Sequence, residues 1–204
     1  MQKIKNIIFD LGGVILNLDF KKTQLAFAEL GIGDFNEYYT LQSITPLFEN
    51  LETGKIQPDD FYDEFRKLVK TQLTNDQIMH AWNALLLDFP VERIEWLKEI
   101  KKRYNIYLLS NTNEIHYNSF IKTFKEQIGG DDFDALFIKA YYSHKIGLRK
   151  PSLEIFELVL NNENLQAVET IFIDDSSANI EAAKLIGLQT IYLPSPKTVL
   201  ELDL

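Results

Sequence analysis

Along the chain, short runs of apolar residues alternate with longer stretches in which apolar positions recur every three or four residues. Runs at Asn6–Phe9, Ile106–Leu109, Leu136–Ala140, Thr170–Ile173 and Thr190–Leu193 are rich in Ile, Phe, Tyr and Leu and predict buried strands. Between them, Val91, Ile94, Leu97 and Ile100 mark one face of a helix, and Ile155, Phe156, Val159 and Leu160 mark another. Over Ser176–Ile186, the residues Ala178, Ala182, Leu185 and Ile186 fall at i, i+4, i+7 and i+8. Ser176 stands at the N-cap position there, and Gly187 where a left-handed residue closes a helix. This alternation predicts an α/β fold with a mostly parallel sheet.

From about Leu18 to Phe89 the alternation stops, and several helical patterns follow one another with no strand. Thr45-Pro46 opens one helix, with Pro46 suited to its first position and Gly54 to its end. Phe61, Tyr62, Phe65, Leu68 and Val69 form a second stripe, and Ile78, Ala81, Trp82, Leu85 and Leu86 a third. The aromatic residues Phe35, Tyr38, Tyr39, Phe48, Phe61, Tyr62, Phe65, Trp82 and Phe89 read mostly as core of this insert. An all-helical segment between the first strand and the rest predicts a lid packed over the sheet.

Composition narrows the partners. The 204 residues carry 30 acidic and 21 basic side chains, a formal charge of −9, which argues against nucleic acid or an anionic membrane. Apolar residues make up 46 %, as in an ordinary globular protein. There is no cysteine, so disulfides, thiolate metal sites and cysteine nucleophiles are excluded. MQKIKNIIFD lacks the apolar core of a signal peptide, and no run approaches a membrane span. The expectation is a cytoplasmic protein, monomeric or a small homo-oligomer.

In open parallel sheets, ligands bind beyond the carboxyl ends of the strands. Polar clusters stand at those places: Asp10-Leu11-Gly12-Gly13, Ser110-Asn111-Thr112-Asn113 and Asp174-Asp175-Ser176-Ser177, with Arg149-Lys150-Pro151 just before a helix. Three carboxylates gathered in a cleft repel one another unless a cation lies between them, and oxygen ligands of this kind suit Mg²⁺. Ser110 can donate its hydroxyl to a phosphoryl oxygen, and Lys150 can hold both a carboxylate and a phosphoryl group. An aspartate so placed can attack phosphorus. The glycines after Asp10 let the backbone turn sharply toward metal and ligand. Taken singly, each cluster is a turn, a cap or a surface lysine. Four in this order make a site.

The order FDLGG … LLSNTN … RKP … FIDDSSAN resembles the haloacid dehalogenase-like hydrolases, a superfamily made largely of Mg²⁺-dependent phosphatases. Within it, the sequence is similar to the branch of small sugar-phosphate phosphatases, which includes glucose-1-phosphatase-like enzymes. The resemblance implies a Rossmann-like parallel-sheet core over residues 1–17 and 91–204, with a small helical cap over 18–90 inserted after the first strand. It implies that Asp10 is the nucleophile, Ser110 the phosphate-binding hydroxyl and Lys150 the charge-neutralising lysine. Ser110, Asn111 and Lys150 would hold the substrate, a small phosphorylated metabolite. Asp10, Asp174, Asp175 and the main-chain carbonyl of Gly12 would hold Mg²⁺.

One position departs from that pattern. Phosphatases of the superfamily usually carry a general acid/base aspartate two residues after the nucleophile, where this chain has Gly12. Such a group contributes about 10²–10⁴-fold. Its absence leaves open a haloacid-type dehalogenase, or a phospho-accepting or binding protein with little turnover. Receiver modules share the residue types, but their paired acids follow the first strand, whereas Asp174-Asp175 comes late. His80, His116 and His144 show no metal-ligand spacing and read as surface or capping residues, although His116 follows the Ser110 loop closely enough to face the site.

Overall fold

The computed structural model describes residues 3–39, 44–129 and 132–204. Five strands, β1 (Asn6–Phe9), β2 (Asn105–Ser110), β3 (Lys139–Tyr142), β4 (Thr170–Asp174) and β5 (Gln189–Tyr192), form one sheet in the order β3-β2-β1-β4-β5. Every pairing is parallel. β1 is therefore central, with β2 and β4 on either side, and the chain changes direction across the sheet at β1. That switch point is where the strands' carboxyl ends open a crevice.

Both faces of the sheet are covered, which explains why the strands read as continuous apolar runs. Ile7 and Phe9 point to one face and pack with Ile94, Leu97 and Phe120 of α5 (Val91–Ile100) and α6 (Glu114–Gln127). Ile8 points to the other and packs with Phe156 of α8 (Leu153–Asn162) and Ala183 of α9 (Ser177–Leu185). Ser176 is the N-cap of α9 as predicted, but its side chain makes no capping bond. Asp174 takes its backbone N–H instead.

Among the described residues, four helices lie between β1 and α5: α1 (Phe20–Glu29), α2 (Pro46–Glu52), α3 (Pro58–Val69) and α4 (Asn75–Asn83). They enclose an aromatic interior of their own, in which Phe48 lies 5.1–5.7 Å from the rings of Phe35, Tyr39, Phe61 and Trp82. Entry and exit of this helical cap run side by side. Asn17 N–H donates to Asp88 (3.0 Å), Leu87 N–H to Asn17 (3.0 Å) and Asp19 N–H to Leu85 (2.9 Å), so two chain crossings form a short antiparallel hinge.

The strand expected at Leu136–Ala140 is displaced. Phe133–Leu136 is a 3₁₀ turn capped by Asp132, and β3 begins at Lys139, because Phe133 and Leu136 are needed in the core beside α6. β5 starts one residue earlier than expected. Leu68 is exposed, so the α3 stripe buries only Phe61, Tyr62 and Phe65. Phe89 belongs to the sheet's core, against Phe124 and Phe133, rather than to the insert. α7 (Ser143–Ile146) is a single turn that follows β3. No helix among the described residues is long and apolar enough to cross a membrane.

Candidate active site

Asp10 follows the central strand, and its N–H continues the ladder by donating to Ile173 (2.9 Å). Asp174 ends the neighbouring strand and is fully buried. The register sets these two carboxylates side by side, and Asp175 joins them: one oxygen from each of the three lies within 4.8 Å of the others. Lys150 is 1 % exposed, yet its Nζ donates to Asp10 Oδ1 (2.7 Å), Asp174 Oδ2 (2.7 Å) and the Leu109 carbonyl (2.8 Å). A buried ammonium is stable only with such partners. Burial pulls its pKa down, but the two carboxylates outweigh that and raise it.

One lysine does not balance three carboxylates. Burial pushes Asp10 up to about 7, against the pull of Lys150 and with the charge of Asp174 adding to the rise. Asp175 is pushed up to about 6 by burial and by Asp174. The site lacks positive charge, and a hard divalent cation would supply it. Among the described residues no backbone N–H donates to the Gly12 carbonyl, so it can act as a further oxygen ligand. The donor set fits Mg²⁺.

The permissive turn after Asp10 has a local cause. Gly13 has φ +75°, and a Cβ there would clash with Asp175 Oδ2, so only glycine lets that carboxylate close on the loop. Gly12 faces Leu18: a Cβ at position 12 would lie 2.5 Å from Leu18 Cδ1.

Ser110 ends β2 and is buried, with its hydroxyl only 3.5 Å from the Asn111 carbonyl. Asn111 ties this turn to Lys150 twice, donating from Nδ2 to the Lys150 carbonyl (2.8 Å) and accepting the Lys150 N–H at Oδ1 (2.8 Å). The structure thus gathers Asp10, Asp174, Asp175 and Lys150 at one point, with Ser110 and Asn111 on the next turn of the same sheet edge.

Three supporting residues escaped the sequence reading. Asn179, in the first turns of α9, donates to both oxygens of Asp174 (3.1 and 3.0 Å). Its place five residues after Asp174 is the only sequence signal. Arg93 is buried and donates to the Val14 carbonyl (3.2 Å), bracing the loop after Asp10. Glu52 of α2 binds Arg149, which immediately precedes Lys150. His116 corrects an expectation: it is buried rather than on the surface. Its Nε2 lies 3.1 Å from the cap's Trp82 carbonyl, its ring rests 4.4 Å from the indole, and burial lowers its pKa to about 4. It joins cap to core and stands outside the carboxylate cluster.

Known proteins share both sequence and shape. A D-ribitol-5-phosphate phosphatase of Bacteroides thetaiotaomicron is 33 % identical over 187 residues, covering 92 % of this chain and 90 % of that one. A sesquiterpene phosphatase of Aspergillus oryzae is 29 % identical, covering 93 % and 89 %. Among solved structures, a haloacid dehalogenase-family enzyme of B. thetaiotaomicron, crystallised as an aspartate-to-alanine variant with magnesium and inorganic phosphate, superposes with a TM-score of 0.89. It is 32 % identical, over 95 % of this chain and 96 % of that one. A haloacid dehalogenase-like hydrolase of Porphyromonas gingivalis gives a TM-score of 0.86 at 28 % identity, over 96 % and 94 %. A profile of the haloacid dehalogenase-like hydrolases matches residues 4–187, and with that match the chain belongs to this family.

Proposed function

We propose that this protein is a Mg²⁺-dependent phosphatase that removes the phosphoryl group from a small sugar- or polyol-phosphate through an aspartyl-phosphate at Asp10. The observation that carries the reading is Lys150 Nζ, 2.7 Å from both Asp10 and Asp174 inside a cluster of three carboxylates. The relatives named for phosphatase activity and the neighbour holding magnesium and phosphate support it. Residues 1–17 and 91–204 are the catalytic core and 18–90 the cap. The enzyme works in the cytoplasm on a soluble metabolite.

Asp10, Asp174, Asp175 and the Gly12 carbonyl would hold Mg²⁺, which would neutralise the carboxylates and draw charge from the phosphoryl oxygens. Lys150 holds Asp10 at Oδ1, and no hydrogen bond among the described residues occupies Oδ2. That oxygen attacks phosphorus, the bond to the leaving alkoxide breaks, and the alkoxide takes its proton from water because Gly12 offers none. Ser110 and Lys150 donate to the phosphoryl oxygens. Water then cleaves the aspartyl-phosphate, releasing inorganic phosphate and restoring the carboxylate. Phosphate release from D-ribitol 5-phosphate and related polyol and sugar phosphates, with Mg²⁺ and then with a chelator, tests this. Release that requires Mg²⁺ supports it; no release from any of them overturns it.

A further inference from the structure

The cap reaches the core beside Lys150 through a partly buried ion pair. Arg149 Nε donates to Glu52 Oε2 (2.9 Å), and Glu52 Oε1 accepts from the Tyr39 hydroxyl (2.9 Å). The Glu52 side chain is 4 % exposed and that of Arg149 24 %. The contact is close-built: Gly54, at the end of α2, lies against the His144 carbonyl so tightly that a Cβ would clash. Asn111 pins the backbone at Lys150. Arg149 is thus held at the seam through Nε alone, and its two terminal nitrogens have no partner among the described residues.

We propose that Arg149, neutralised by Glu52, determines specificity by the charge of the substrate's unphosphorylated end, accepting an uncharged, hydroxyl-bearing tail and disfavouring a second anion. This rests on the phosphatase reading above. A guanidinium carries five N–H donors, of which Nε uses one, so four remain for hydroxyl oxygens. A carboxylate already beside the guanidinium removes the net charge that a second phosphate or carboxylate would seek. The remaining cation of the site, Lys150, is committed to Asp10 and Asp174. The covering segment is itself acidic: residues 18–90 carry twelve Asp and Glu against six Lys and Arg. An anionic tail would meet repulsion from the acidic cap, and the paired Arg149 would offer it no net charge. A polyol tail loses nothing there.

Glycerol phosphate and phosphoglycerate test this, because they match in length and differ in a terminal alcohol against a carboxylate. With Mg²⁺ present, kcat/KM of the unmodified enzyme should favour the alcohol by about tenfold or more. Glu52→Gln keeps an acceptor for Nε but frees the charge of Arg149, and should shrink that preference by about tenfold, chiefly through KM for the carboxylate. Arg149→Met should raise KM for glycerol phosphate and serves as the second arm should Glu52→Gln fail to fold by circular dichroism. An unchanged substrate ratio in Glu52→Gln, or parallel losses on both substrates, overturns the proposal and leaves the pair a structural strut. An unaltered KM for glycerol phosphate in Arg149→Met overturns it as well. If the unmodified enzyme turns over neither compound nor any sugar phosphate, the phosphatase reading itself falls, and this proposal with it.

Discussion

Core and cap solve the burial problem in opposite ways. The core brings ionised groups inside and balances them against one another, with Lys150 set among three carboxylates at the end of the central strand. The cap keeps charge outside and fills itself with rings: Phe27, Phe35, Phe48, Phe61, Phe65 and Trp82 are all almost fully buried. Polar groups reappear in it where it meets the core, in the Glu52 side chain against Arg149 and the Trp82 main-chain carbonyl against His116. The difference separates tasks. On the proposed reading, chemistry depends on the core's imbalance of charge, whereas the cap's shape depends on apolar packing and tolerates no loss of volume.

Breaking the core's charge set should have the largest effect. Asp10→Asn keeps shape but removes the proposed nucleophile and metal ligand, so phosphate release should fall to background. Thermal stability measured without Mg²⁺ should hold or rise, since burial already disfavours the Asp10 charge. Full turnover by this variant would remove Asp10 from the chemistry.

Next comes the cap interior. Phe48→Ala should cost about 3–5 kcal/mol through the cavity it leaves, as should Phe156→Ala beneath the sheet. The comparison lies in where the cost appears. Hydrogen exchange in Phe48→Ala should rise over α1 to α4 while β1, β2 and β4 stay protected. Equal loss of protection everywhere would mean that cap and core unfold as one unit.

The joint at His116 gives a pH signature. Its pKa is about 4 when folded and 6.5 when unfolded, so between those values the unfolded chain binds more protons. Stability therefore falls as pH drops from about 7 to 4, by roughly 3 kcal/mol at most from this group. Urea melts of the unmodified protein and of His116→Gln across that range isolate it, because other titrating groups cancel in the difference. Parallel pH curves for the two would show that the imidazole titrates normally.

A smaller effect is expected at Gly13→Ala. The left-handed backbone costs about 1–2 kcal/mol, and the added methyl displaces Asp175. Mg²⁺ affinity, read by isothermal titration, should weaken more than stability does. The reverse order would make Asp175 a bystander to the metal.

The core was more legible than the cap in the sequence. Strands buried on both faces leave unbroken apolar runs, and the polar residues that end them mark the sheet edge, so Asp10, Ser110 and Asp174 stood out. The β3 region misled because Leu136 and Phe137 are apolar for a different reason, packing under α6 within and just after a 3₁₀ turn. Arg93 and Glu52 were invisible because each acts across a fold contact, whereas Asn179 stands within the FIDDSSAN run, five residues after the Asp174 it holds. Glu52 and Arg149 are 97 positions apart, and no local pattern links them. His116 looked like a helix-surface residue because the carbonyl that buries it comes from Trp82, 34 positions earlier.

The hinge at Asn17 and Asp88 makes the insert a cassette. The chain leaves the core and returns to it at neighbouring hydrogen-bonded positions, so whatever lies between begins and ends at one place. Closing such a loop costs only slightly more as it lengthens, by about 0.6 kcal/mol per doubling. Helices could be added, dropped or exchanged between these two crossings without shifting the register of β1 against β2 or β4. The fold can thereby graft new covers onto an unchanged reactive centre.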